Sequence, residues 1–253
     1  MARQKGVLKF EGQMGGVSFY RTAEDGYLAR EKGGVDADRI KNDPAFERTR
    51  ENGAEFGRAG AAGKLLRTSL RALILSASDS RMASRLTREM VKVIQADEVN
   101  LRGQRNVIDG EAELLQGFEF NEDGKLTRTF FAPFDSVIDR VAGTLTVNIP
   151  AFIPGNMIAA PQGASHVKLI AAGVEVDFEN GVYVVNTSQS AEIVLGPQNE
   201  AAIALNNAVT PASTKPLFIA FGVEFYQEVN GVRYPLKNGS FNALALVKVD
   251  GGV

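Results

Sequence analysis

The sequence predicts an α+β protein: an N-terminal β-hairpin arm, a long helical hairpin, then an antiparallel β-sandwich of immunoglobulin-like type. Three observations predict it. Residues 43–77 carry an apolar and small-residue stripe at steps of three and four, the period of a helix. After Gly143 the chain turns to short alternating runs rich in Val, Ile and Phe, separated by turn residues. Three Asn-Gly pairs, at 180–181, 230–231 and 238–239, are strong hairpin signals. The expected parts are an arm over 1–42, a long helix and its antiparallel partner over 43–116, a connecting hairpin over 117–142, and the sandwich over 143–253.

The arm is read as three strands, KGVLKF, GGVSFYR and YLAREK, turning at EGQMGG and TAEDG. So small a sheet cannot stand alone and has to dock. EGQMGG has neither the lysine–hydroxyl pair of a phosphate-binding loop nor the spacing of a dinucleotide loop, so its glycines are turn formers. Asp36 and Asp38 resemble half a calcium loop without the closing glutamate.

Asp43 is placed to cap the long helix and Pro44 to occupy its first position, where a missing N–H costs nothing. Its stripe runs Phe46, Thr49, Gly53, Phe56, Gly60, Gly63, Leu66, Leu70 and Leu73. An unbroken helix over this span would be roughly 50 Å long, beyond the ~30 Å of a small domain. Part of its stripe is therefore expected to meet another helix or another copy of the chain, and the self-association residues are Phe46, Gly53, Phe56, Gly60 and Gly63. A second helix is expected from a Ser78 cap to Ala96, with Met82, Leu86, Met90, Val93 and Ile94 on its apolar face. Arg81, Arg85 and Arg88 form a ridge beside that face, where an anion or nucleic acid backbone could lie. No aromatic residue interleaves with them and no DNA-reading motif is present, which disfavours nucleic acid as a partner.

In the connecting region GFEFNEDGKLTRTFF reads as a hairpin turning at Glu122-Asp123-Gly124. SVIDRV reads as a short helix placing Asp135 and Asp139 four apart, with Arg140 as their ordinary partner. In the sandwich, Val174, Val176 and Phe178 are expected to face in and Glu175 and Asp177 out. Leu217, Ile219, Phe221, Val223 and Phe225 share one face of the longest strand.

Chemistry is sparse. There is no cysteine, hence no disulfide, thiolate nucleophile or thiolate metal site. The one histidine, His166, sits in a strand beside Lys168 without a serine–carboxylate frame, and reads as a surface residue. No zinc-protease, nucleophile-elbow or phosphate-loop motif occurs. The expectation is no enzyme, no cofactor and no metal. The start, MARQKGVLKFEG, lacks the apolar core of a secretory signal, and no apolar run is long enough to span a bilayer. The expected location is the cytoplasm or an assembled particle. Net charge is −2, yet residues 1–110 hold 20 Lys+Arg against 15 Asp+Glu while residues 111–253 hold 8 against 15. Such a split suits a basic half that binds nucleic acid, head-to-tail contacts between unlike halves of neighbouring copies, or simply arginine on the wet faces of long helices.

The stretches GGVSFYRTAEDGYLAREKGGV, RIKNDPAFERTRENGAEFGRAGAAGKLLR and PLFIAFGVEFYQEVNGVRYPLKNGSFNALALVKV resemble a family of uncharacterised hypothetical proteins from Bacteroidota. The resemblance implies a bacterial, cysteine-free, two-part protein, and carries no activity, cofactor or site residue with it. The role expected from the residues is a structural protein that self-assembles into a homo-oligomer, as a filament, tube or phage-like particle. The alternative is a sandwich that binds a glycan or protein ligand through its loops or through Tyr183, Tyr226 and Tyr234.

Overall fold

The computed structural model describes residues 2–31 and 33–252. Met1, Lys32 (the end of the expected strand YLAREK) and Val253 lie outside the described residues. The chain is α+β with antiparallel sheets, and it divides into two units, residues 1–50 and 51–253.

In the first unit, β1 (Ala2–Arg3), β2 (Gly12–Met14), β3 (Val17–Thr22) and β4 (Gly26–Glu31) form a sheet in the order β1-β4-β3-β2. Met14 pairs with Val17, so Gly15-Gly16 is a two-residue hairpin, with Gly15 at φ +58°. The expected strand KGVLKF is instead a loop. Its ladder is replaced by the Gln4 amide, which donates to the Phe10 carbonyl and accepts from the Phe10 N–H. Val7 and Leu8 are left exposed. Leu28 is the only buried apolar side chain of this unit among the described residues. Asp36 caps the short helix α1 (Ala37–Asn42). Asp43 then caps a 3-10 turn over Pro44–Phe46, with the Ala45 N–H donating to its carboxylate.

From there α2 (Glu47–Ser69) runs 23 residues, continuous through Gly53, Gly60 and Gly63. Its length is roughly 35 Å rather than 50 Å. The helix stops at Leu70 (φ −93°, ψ 11°), where the Ser69 hydroxyl has turned back to the Leu66 carbonyl, and one further turn, α3 (Arg71–Ile74), follows. The second long helix, α4 (Met82–Gln95), begins later than expected. Asp79 rather than Ser78 accepts the Arg81 N–H at its start.

Residues 117–142 are where sequence and structure part most. Residues 117–120 do not form a hairpin. They run beside β13 (Ala243–Asp250), with Gly117 N–H donating to Leu246 O and Phe120 N–H to Leu244 O. A helical turn, α5 (Leu126–Thr129), follows, its first N–H donating to Glu119. The first four residues of SVIDRV lie in a strand, β5 (Asp135–Asp139), in which β-branched Val137 and Ile138 pair with β6 (Thr144–Ile149), and Arg140 and Val141 fall in the turn after it. Arg140 leaves Asp135 and Asp139 and reaches Asp250 and the carbonyls of Ser213 and Lys215.

After the helical turn α6 (Pro154–Met157), the segments HVKLIA and GVEVDF join as one strand, β7 (His166–Asp177). Then come β8 (Val182–Gln189), β9 (Ile193–Val194), β10 (Ile203–Ala208), β11 (Leu217–Val229) and β12 (Val232–Pro235). The larger sheet has the order β12-β11-β7-β8, with β13 also on β11 and β9 also on β7; the smaller is β10-β6-β5. Of the three Asn-Gly pairs, only Asn230-Gly231 makes a two-residue hairpin, with φ +53° and +77° between paired Val229 and Val232. Asn180-Gly181 closes a longer turn organised by Asp177. Asn238-Gly239 lies in an irregular turn whose glycine sits against the Ser76 carbonyl.

The larger sheet separates two cores. Toward the helices, Ile170, Ala172, Val174, Val176, Phe218 and Leu246 pack with Leu66, Leu70, Leu86, Met90 and Ile94. On the opposite face, Leu169, Ala171, Leu217, Ile219, Phe221, Val223 and Phe225 pack with Leu145, Val147, Ile149 and Leu205 of the smaller sheet. The two sheets approach closely at Gly173. A Cβ there would lie 2.8 Å from Asn207 Cβ and 3.0 Å from Leu145 Cβ.

Candidate functional site

An open apolar groove of the second unit lies on the outer side of α2 and α4. One face of α2 is committed inward by Ala59, Ala62, Gly63, Leu66 and Ser69. Away from it, Gly53, Gly57 and Gly60 have nothing within 4 Å of where a Cβ would stand. Another backbone can approach closely along that line. Phe56 stands at the flank, 61% exposed. It walls a groove of about 710 Å³ whose other side is Ala83, Thr87, Val91 and Gln95 of α4, rimmed by Arg88 and Lys92. Both rim cations are partly answered by Glu89 between them. Burial of Glu89 pushes its carboxyl up, but hydrogen bonds from Lys92 and Arg88 outweigh that and hold it below its ordinary value.

The five expected self-association residues do not stay on one stripe. Gly63 belongs to the internal core, against Leu86 and Thr87. Phe46 belongs to the first unit, where the Arg39 guanidinium lies over its ring at 5.7 Å. Gly53, Phe56 and Gly60 remain outward. Phe46 falls in the 3-10 turn ahead of α2, and for Gly63 the cause is helical drift: steps of three and four average less than 3.6 residues per turn, so the stripe rotates ~20° every seven residues.

The arginine ridge is likewise divided. Arg81 and Arg88 are exposed. Arg85 is taken up inside the protein: it pairs with Asp79, reaches the Glu119 carbonyl at 2.7 Å and Glu122 at 3.3 Å, and lies 5.2 Å over the Phe118 ring. Burial pushes the Asp79 carboxyl up, but the Glu122 N–H, the Arg85 guanidinium and the Arg81 N–H outweigh it and hold it low. Arg85 therefore locks the start of α4, a role that its i, i+4 spacing from Arg81 does not reveal.

His166 is buried rather than superficial. Its Nδ1 is 2.9 Å from the Ser165 hydroxyl and its Nε2 is 3.6 Å from Glu228. Glu228 and Glu192 hold Arg233, and Glu192 faces Lys168 at 3.8 Å, so the histidine lies in an ion-pair ladder across β7, β11 and β12. Of the three tyrosines, Tyr183 and Tyr234 are exposed, while Tyr226 donates to Glu224 under the Lys168 ammonium. Among the described residues no group of three His, Asp or Glu is placed to hold a metal ion, and no helix is long and apolar enough to cross a membrane.

No family model and no curated protein matches this chain. Similar solved structures share little with it. One concerns pH-induced modulation of Streptococcus parasanguinis adhesion by Fap1 fimbriae, at 12% identity and TM-score 0.22, covering 46% of this chain and 81% of the other. The human F-spondin reeler domain follows at 15% identity and TM-score 0.21, covering 55% and 100%. A Reelin-N domain of F-spondin stands at 15% and 0.19, covering 48% and 90%.

Proposed function

We propose that this chain is a non-enzymatic structural protein that assembles with copies of itself, as a filament, tube or phage-like particle, in the cytoplasm or within the particle. On this reading the second unit is an immunoglobulin-like sandwich with a helical layer on one face, and its assembly surface is the outer side of α2 and α4. The observation that carries it is Phe56, a large apolar ring left 61% exposed beside glycines open to another backbone. Exposed aromatic rings set in apolar grooves mark interaction sites in soluble proteins. A helix of a second copy fits the groove by shape, since small residues let helix axes approach within ~8 Å.

Light scattering and sedimentation over a wide concentration range test the proposal. Wild type is expected to grow in mass with concentration, and Phe56→Asp to lose most of that growth while its melting temperature stays within about 2 °C, as for a surface substitution. A monomer at every concentration overturns the reading.

A further inference from the structure

A second surface, far from Phe56 in sequence, has the chemistry of a contact between copies. Strand β8 is paired only with β7 among the described strands. Its outward backbone N–H and C=O groups form an open row, which soluble proteins ordinarily protect with lysine, proline or a bulge. β8 has none of these. Its sequence, VYVVNTSQ, has no charged residue, no proline and no glycine, in a chain that is 23% charged. Val182, Tyr183, Val184 and Val185 are 57%, 39%, 44% and 38% exposed.

Register fixes which side chain faces where. Tyr183 pairs with Val176 and Val185 with Val174, so both stand on the helix side of the sheet, whereas Val184 pairs with Glu175 on the other side. Beside Tyr183 on the helix side is a groove of about 470 Å³, walled by Leu65, Val107, Ile108 and Phe178.

We propose that β8 pairs antiparallel with β8 of a second copy about a twofold axis at Val184, fusing the two larger sheets with their helical layers on one side. This inference rests on the self-assembly reading above and names a contact for it. Three arguments select a second copy. A strand without charge is best matched by another without charge, and this register places Tyr183 against Val185 twice, an aromatic on a β-branched residue. Nor are like charges opposed: the nearest flanking carboxylates, Glu179 and Glu192, do not meet, since Glu179 falls opposite Gln189. Finally, one edge strand buries less than the ~800 Å² per partner of a stable interface, and the groove beside Tyr183, with Ile108 53% exposed, supplies adjoining apolar area.

Absence of native cysteine makes the test clean. At the proposed axis, Val184→Cys meets its own copy with Cα atoms ~4.5–5.5 Å apart, within disulfide reach. Oxidised Val184→Cys is expected to give a reductant-sensitive dimer at least tenfold faster than the exposed control Val141→Cys. An equimolar mixture of Tyr183→Cys and Val185→Cys is expected to cross-link as a heterodimer faster than either alone, which covers the case of a Val184 variant that folds poorly. Val184→Lys is expected to abolish the β8 contact without changing the circular dichroism. If wild type assembles but neither cysteine test exceeds its control, the β8 contact is overturned and the Phe56 reading stands. A wild type that stays monomeric at every concentration overturns both.

Discussion

The two units solve the burial of a sheet in opposite ways. In the second, the larger sheet is covered on both faces, and β11 is buried from Leu217 to Val223 because alternate side chains enter alternate cores. In the first, a four-stranded sheet whose longest strands have 6 residues, against 12 and 13 for β7 and β11, buries Leu28 alone among its described apolar side chains. Its order comes from hairpin hydrogen bonds and from side-chain pairs: the tilted rings of Phe10 and Phe19, and Arg21 over Tyr27 and Arg30 over Tyr20. Backbone pairing sets a sheet's register, but apolar area sets its stability, at about 25 cal/mol per Å² removed from water. The expectation that a small N-terminal sheet must lean on something follows from this contrast.

The contrast is broken most sharply in the second unit's centre. Phe221 is fully buried and meets the rings of Phe130 and Phe134 at 5.4 and 5.0 Å. Phe221→Ala is expected to cost about 3–5 kcal/mol, lowering the main calorimetric transition by roughly 10 °C. Gly173→Val comes next: with Asn207 and Leu145 so close, the sheets must separate, at about 1–3 kcal/mol in chemical denaturation.

Acid should act on the same unit. Asp79 has a folded-state pKa below its ordinary 3.8, so its contribution is fully present above about pH 4 and is lost as pH falls through the folded value. Stability measured from pH 5 down to 2 is expected to fall in wild type and to fall less steeply in Asp79→Asn. Least is expected of Phe19→Ala in the first unit, below about 1 kcal/mol on the main transition, because the half-buried ring belongs to neither core. A drop as large as that of Phe221→Ala would erase the distinction.

Much of the second unit was legible because its signals are periodic. The alternation of Leu217 to Phe225 and the helical spacing of Met82, Leu86, Met90, Val93 and Ile94 each name a buried face, and the structure buries them. What misled were signals whose meaning depends on distant chain. Asn238-Gly239 looks like a hairpin until the Ser76 carbonyl, far off in sequence, occupies the space beside Gly239. SVIDRV has apolar residues that suit a helix or a strand, and its pairing with Thr144–Ile149 decides. For the candidate site, Gly53, Phe56 and Gly60 were readable as a set, while the loss of Gly63 to the core depends on where α4 lies. The open edge of β8 could not be read at all. An uncharged strand looks the same whether its neighbours number one or two.

Because β7 and β11 contribute side chains to both cores, neither covering layer can be peeled away without stripping the same two strands on one side. The second unit should therefore resist pulling as a single block and give way in one step.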